Sequence, residues 1–266
     1  MDRMDTALQA AWQAGDILLE RFSRPKQLTM KGVRDVVTDA DYAAQAVILD
    51  TIRRTFPEHE ILAEEGVGSD DFAALGDTPL WVIDPLDGTT NYSRQFPIFC
   101  VSIGLVQSGV PILGVIHDPL RQQTFVAERG RGAEWLTDTV DPTPLAVSPT
   151  PGLAQSVIGL DWSHDDDIRM RTLDALRPVA LVCRSVRAIG SAALGLAYLA
   201  AGWIDGYFHF SMLPWDVAAG AVIAAEAGAT LTTPDGRPWQ FGEPRLVVSN
   251  ARIHAEMLAA MNGGAA

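Results

Sequence analysis

The sequence predicts a mixed α/β protein, α+β over its first half and alternating α/β over its second. Three observations carry that reading. Apolar residues recur at helical spacing in several separate stretches, short strand-like runs bounded by turn residues lie between them, and the two alternate regularly after residue 151. A length of 266 residues allows one large or two intimate units with ample core. The seam is expected at 137–151, where four prolines gather among Asp and Thr. That divides the chain into an N-terminal α+β subdomain, 1–140, and a C-terminal α/β subdomain, 141–266.

The elements follow in order. Leu8, Ala11, Trp12, Gly15, Leu18, Leu19 and Phe22 share one helical face, which predicts a helix over 4–22. A Pro-Lys-Gly stretch at 23–32 reads as a loop. Thr38 or Asp39 caps the next helix, carried by Ala43, Ala46, Val47, Leu49 and Ile52 and stopped by Pro57. Residues 60–66 are a short strand ending in Glu64, Glu65 and Gly66. A polar patch follows, then a strand over 80–84. Residues 99–107 and 110–117 form a hairpin around Ser108-Gly109, and short strands follow at 124–128 and 133–136. Beyond the seam, strands are expected at 156–160, 179–182 and 204–210, and helices at 168–176, 192–201 and 217–227.

The chain carries 33 acidic and 20 basic residues, a net charge of −13. That balance argues against binding nucleic acid or an anionic membrane surface. No apolar run is long enough to span a bilayer, and Asp2 and Asp5 stand where a secretory signal is basic, so the cytoplasm is the expected location. Cys100 and Cys183 lie far apart in apolar, strand-like stretches and read as buried free thiols.

The chemistry concentrates in Trp81-Val82-Ile83-Asp84-Pro85-Leu86-Asp87-Gly88-Thr89-Thr90-Asn91. An apolar strand delivers two carboxylates to its end, a proline sharpens the turn, and Gly-Thr-Thr opens a helix. Carboxylates this crowded repel one another unless cations lie among them. The Asp-Pro-Leu-Asp spacing lets Asp84, Asp87 and the Leu86 carbonyl face one point, and two ions can share Asp84. Oxygen donors alone favour Mg²⁺ or Mn²⁺ over zinc. Gly88 permits close approach of a phosphate, N–H groups at the helix start face it, and the Thr89 hydroxyl is placed to hold an attacking water. A second constellation, Leu213-Pro214-Trp215-Asp216, starts a helix rich in small residues and puts Asp216 at its positive end. Asp41, Glu64 and Glu65 are further carboxylates at element ends. His164-Asp165-Asp166-Asp167 reads as a solvated loop, and His117-Asp118 as structural.

These motifs resemble those of the inositol monophosphatase family, within the lithium-sensitive, magnesium-dependent sugar-phosphate phosphatases. The signature Asp-Pro-(Ile/Leu)-Asp-Gly-Thr-Thr-Asn stands at 84–91 and Trp-Asp-(Val/Ala)-Ala-(Gly/Ala) at 215–219. Glu64-Glu65-Gly66 resembles the Gly-Glu-Glu element, with Ala63 in place of its glycine. Residues 35–41 resemble its Asp-Leu-Val-Thr-x-x-Asp segment, and Lys31 the lysine of its mobile loop.

The resemblance implies a layered α-β-α-β-α fold and a homodimer that hydrolyses a small phosphomonoester with two to three Mg²⁺ ions, Mn²⁺ being an alternative. Glu64, Asp84 and the Leu86 carbonyl would hold the first ion, and Asp84, Asp87 and Asp216 the second. Glu64 would help place a weaker third. Asp41, Glu64 and Thr89 are the implied catalytic residues; Asp87, Gly88, Thr89, Ala192, His209 and Asp216 are the implied substrate contacts. Family members that bind inositol place a Glu seven residues before the Trp-Asp aspartate, where this chain has His209. The substrate is therefore expected to be myo-inositol monophosphate or a similar polyol phosphate. Histidinol phosphate, fructose 1,6-bisphosphate and 3′-phosphoadenosine nucleotides are the alternatives. A non-enzymatic alternative, an accessory factor of a transcription complex, follows from the same resemblance.

Overall fold

A computed structural model describes residues 1–24, 26–66, 68, 76–137 and 139–263. Pro25 and most of the polar patch expected after residue 66 lie outside them. The chain begins with α1 (Arg3–Phe22), capped by Asp2, whose side chain accepts the Asp5 N–H. A small hairpin follows, β1 (Leu28–Met30), inside the stretch expected to be loop, with β2 (Val36–Thr38) beyond it. Then α2 (Asp39–Thr55) starts at a capping box made by Thr38 and Asp41.

The next strands are β3 (Glu60–Ala63) and β4 (Leu80–Asp87), and α3 (Thr89–Ser93) is a short helix after them. β4 runs three residues past the expected end at Asp84, because the ladder with the following strand resumes at Asp87 after an irregularity between the two aspartates. The meander continues with β5 (Cys100–Gln107), β6 (Val110–Asp118), β7 (Gln123–Glu128), β8 (Ala133–Thr137) and β9 (Thr143–Pro144). Strands β3 to β9 form one sheet in sequence order, parallel only between β3 and β4. Its last edge strand lies past residue 140.

The remainder comprises β10 (Val157–Leu160), α4 (Asp166–Val182), β11 (Ser185–Ala188), α5 (Ala192–Ala200), β12 (Gly206–His209), α6 (Pro214–Glu226), β13 (Ala229–Thr232), β14 (Leu246–Asn250) and α7 (His254–Met261). Its sheet has the order β11-β10-β12-β14-β13, parallel across the first three strands. The strand expected at 179–182 is instead the last turn of α4. The helix continues through Pro178 because Ala175 and Val179 both bury against Met257 and Ala260 of α7, and that packing outweighs one lost backbone bond. Cys183 caps that helix and is half-buried rather than buried in a strand; Cys100 is buried, and both are free thiols.

Five layers result. Helices α1 and α2 cover one face of the larger sheet through Ala7, Ala14, Leu18, Ile48 and Ile52. Helices α5 and α6 fill the space between the two sheets, burying Leu194, Leu196, Val217, Val222 and Ile223. Helices α4 and α7 close the far face of the smaller sheet. The α6 contact is close. A Cβ at Gly114 would lie 2.4 Å from the Ala219 carbonyl, and one at Gly104 2.7 Å from the Ala218 Cβ. Only glycine lets β5 and β6 approach the backbone of the helix that carries Asp216.

Candidate active site

The carboxyl end of β4, the start of α5 and the start of α6 meet at one cleft of about 420 Å³. β4 is buried along its whole length, so its apolar run carries Asp84 and Asp87 inward. Asp84 is 2% exposed and Asp87 8%. The Asp84 carboxylate accepts the Leu86 N–H at 3.0 Å, which tightens the turn across Pro85. Burial, and then the charges of Glu64, Asp87 and Asp216, push Asp84 well above the usual carboxylate range. Burial, and then the Asp87 charge, push Asp216 well above that range against the Leu213 N–H, and burial raises Asp87 against chiefly the Ser191 hydroxyl. Burial raises Glu64 to about 7 despite Lys31 beside it.

Lys31, on the β1–β2 hairpin, donates to Glu64 at 3.2 Å and Glu65 at 2.5 Å. Burial alone would depress its ammonium, but the Glu65 hydrogen bond and the Glu64 charge outweigh that and raise it. The hairpin thus reaches over the carboxylates.

Asp87 accepts the Ser191 hydroxyl at 2.5 Å, the Ala193 N–H at 2.7 Å and the Ala192 N–H at 3.2 Å. Ser191 also caps α5 by accepting the Leu194 N–H. Asp216 accepts the Leu213 N–H at 2.7 Å from the third position of α6. With the carboxylates turned onto these donors, no three His, Cys, Asp or Glu side chains among the described residues close around a single point. The donor set nevertheless fits a hard divalent cation. Two buried carboxylates, Asp84 and Asp87, and two half-buried ones, Glu64 and Asp216, share the cleft, and the charges of the other three raise Asp84. Lys31 is the one cation paired with any of them among the described residues, and all are oxygen ligands. Glu64, Asp84, Asp87, Asp216 and the Leu86 carbonyl are the groups able to hold it.

Gly88 has φ = +96°, and a Cβ there would sit 3.0 Å from the Ile98 carbonyl and 3.1 Å from that of Gly190. The Thr89 hydroxyl lies 3.1 Å from Asp41 and 2.9 Å from the Leu86 carbonyl, and its one proton serves one of them at a time. Asp41 is fixed by the Thr38 N–H at 2.8 Å and hydroxyl at 2.6 Å, and burial raises it to about 6 against those bonds. Ala192 and His209 line the same cleft. His209, at the end of β12, is buried and accepts the Ser211 N–H at its Nδ1; burial, and then His164, lower it to about 4.

Three features escape the sequence reading. Asp161 follows β10 as Asp84 follows an apolar strand, so the same signal was present. It accepts the Gly190 N–H and, at 2.9 Å, the Tyr207 hydroxyl, and burial raises it to about 7. Ser191 acts as the anchor of Asp87. The acidic run expected to be a solvated loop is the start of α4, with Asp165 as its cap and His164 lining the cleft. His117 is structural as expected, buried and 3.0 Å from the Thr124 hydroxyl.

A five-layered α/β scaffold that gathers buried carboxylates beside a Gly-Thr-Thr turn has the architecture of a phosphomonoester phosphatase. The family model for the inositol monophosphatase family matches residues 1–263, and the chain belongs to that family. It is similar to an inositol-1-monophosphatase of Synechocystis sp., with 37% identity over 97% of this chain and 88% of that one. It is also similar to the Nus factor SuhB of Escherichia coli, with 35% identity over 97% and 95%. Among solved structures, the extragenic suppressor protein suhB of Bartonella henselae superposes with a TM-score of 0.89 at 32% identity, over 98% of this chain and 99% of that one. Among the described residues, no helix is long and apolar enough to cross a membrane.

Proposed function

We propose that this protein hydrolyses myo-inositol monophosphate or a similar polyol or sugar phosphate, with Mg²⁺ as its cation. The observation that carries the reading is the cluster of Glu64, Asp84, Asp87 and Asp216, its two β4 aspartates buried, beside Gly88 and Thr89. Glu64, Asp84 and the Leu86 carbonyl would hold one ion, and Asp84, Asp87 and Asp216 a second, with Glu64 serving a weaker third. When bound, Mg²⁺ would supply positive charge that offsets the negative charge of the phosphate and eases deprotonation of a water.

The chain's own groups do the rest. Gly88, free of a side chain, lets the phosphate approach the backbone at the β4–α3 turn. Thr89 orients the attacking water through its hydroxyl oxygen. Asp41, within reach of that hydroxyl and raised by burial to about 6, takes up the proton passed along it. Ser191 and the Ala192 and Ala193 N–H groups hold Asp87 in place on the α5 side. Ala192 and His209 face the part of the substrate beyond the phosphate. A homodimer belongs to the same reading and rests on the family resemblance, and a cytoplasmic location goes with it.

The test is phosphate release from inositol, fructose, histidinol and nucleotide phosphates with and without Mg²⁺. Mg²⁺-dependent release fastest on a polyol or sugar phosphate supports the proposal, and no release from any of them overturns it. A second reading, an accessory factor of a transcription complex, draws on the relative named Nus factor SuhB. An inactive variant that still restores the phenotype of a deletion strain would favour that role.

A further inference from the structure

Besides the residues around Gly88 and Thr89, the cleft is lined by Asp161, Trp162, Ser163, His164 and Arg169 together with His209, which make a second wall. Arg169, in the first turn of α4, lies with its guanidinium carbon 5.3 Å from the centroid of the Trp162 ring and donates to the Ser163 carbonyl at 2.9 Å. Among the described residues, no carboxylate lies within 4 Å of it. Its neighbour Arg34 differs, since it pairs with Asp166 at 2.8 Å. An arginine with no acidic partner, braced in a cleft of a chain with 33 acidic residues, is a group held ready for an anion.

The rest of that wall has the same polarity. His209 uses Nδ1 to accept the Ser211 N–H, which leaves Nε2–H as a donor. Both oxygens of Asp161 are engaged, one by the Gly190 N–H and the other by the Tyr207 hydroxyl. Asp35 also lines the cleft, but on the β1–β2 hairpin beside Arg34. A neutral polyol offers hydroxyl donors as well as acceptors, whereas a phosphate or carboxylate offers acceptors alone. A wall of N–H donors matches the second kind of ligand.

Resting on the phosphatase reading, we infer that the preferred substrate carries a second anionic group, phosphate or carboxylate, which Arg169 binds at the far end of the cleft. Arg169 is therefore a specificity-determining residue, remote from the reacting phosphate.

The experiment is steady-state phosphate release by the purified full chain with Mg²⁺, on two matched pairs. Fructose 1,6-bisphosphate is set against fructose 6-phosphate, and 6-phosphogluconate against glucose 6-phosphate. The member with the second anionic group in at least one pair is expected to show a kcat/KM about tenfold higher. Arg169→Ala should raise its KM about tenfold and that of the matched neutral-end substrate less than about twofold, with Arg169→Lys recovering part of the loss. A preference confined to the bisphosphate assigns phosphate, and one confined to 6-phosphogluconate assigns carboxylate. Thermal unfolding of each variant checks that the fold is kept. Equal kcat/KM within both pairs, or an Arg169→Ala effect equal on both members, overturns the inference and leaves the phosphatase reading standing. Absence of phosphate release from these four and from inositol 1-phosphate overturns both.

Discussion

Asp87, at the end of β4, accepts the hydroxyl of Ser191, the cap of α5, at 2.5 Å across 104 residues of sequence. The bond ties a cluster carboxylate on the larger sheet to the helix layer between the sheets, so the site depends on how the two parts of the chain pack. Ser191→Ala removes this donor and the α5 cap together. It is expected to cost about 1 kcal/mol of stability and roughly tenfold in kcat, with Asp87 loosened from its place. Urea unfolding and phosphate-release kinetics on the same preparation check both parts.

Close approach of α6 to the larger sheet sets the position of Asp216. Gly114→Ala puts a methyl against the Ala219 backbone, so it is expected to destabilise the fold by about 1–3 kcal/mol and to lower activity by displacing the helix. A neutral effect on the unfolding midpoint would show that the sheet and helix can part at little cost.

Burial raises Asp41 to about 6 and Glu64 and Asp161 to about 7, from ordinary values of 3.8, 4.5 and 3.8. Between the ordinary and raised values the folded chain holds more protons than the unfolded one, so these groups lose stability as pH rises. Chelator-treated protein is therefore expected to be more stable at about pH 5 than at pH 8 in urea titrations, because the window spans about 4 to 7. Saturating Mg²⁺ should shrink that difference by favouring the ionised carboxylates. Stability of the chelated protein that rises over the interval would contradict the assigned shifts.

His209→Glu replaces a donor on the far wall with an acceptor. Substrate preference should move toward inositol phosphates, read as a rise of about fivefold or more in the kcat/KM ratio of inositol 1-phosphate to fructose 1,6-bisphosphate. An unchanged ratio would make His209 a structural residue at the end of β12.

Much of this was legible in the chain. The Asp84–Asn91 run announces its chemistry because a strand, a proline and a Gly-Thr-Thr turn are local features, fixed by neighbours in sequence. A cap at Thr38 or Asp39 was legible for the same reason, and the structure chooses Thr38, in a capping box with Asp41. What escaped depends on contacts between distant segments. Pro178 and the β-branched residues around it read locally as a helix stop and a strand, and only α7 packed alongside decides for helix. The short strands β11 and β13 are the two edges of a mixed sheet, with β14 between β12 and β13, an order that no single stretch specifies. Ser191 is an ordinary cap until Asp87 arrives from the other end of the chain, and Arg169 is an ordinary surface arginine until Trp162 lies beneath it.

The central claim is that the buried carboxylates of β4 and its neighbours form the cation site of a phosphatase. Asp84→Asn tests it most directly, because Asp84 faces Glu64, Asp87 and Asp216 at once. Phosphate release and Mg²⁺ binding by calorimetry should be measured on wild type and variant, with circular dichroism to check the fold. The variant is expected to fold, with at least about a thousandfold lower kcat and no measurable high-affinity Mg²⁺ binding. A folded Asp84→Asn protein that binds Mg²⁺ as the wild type does and retains more than a few per cent of its activity would contradict it.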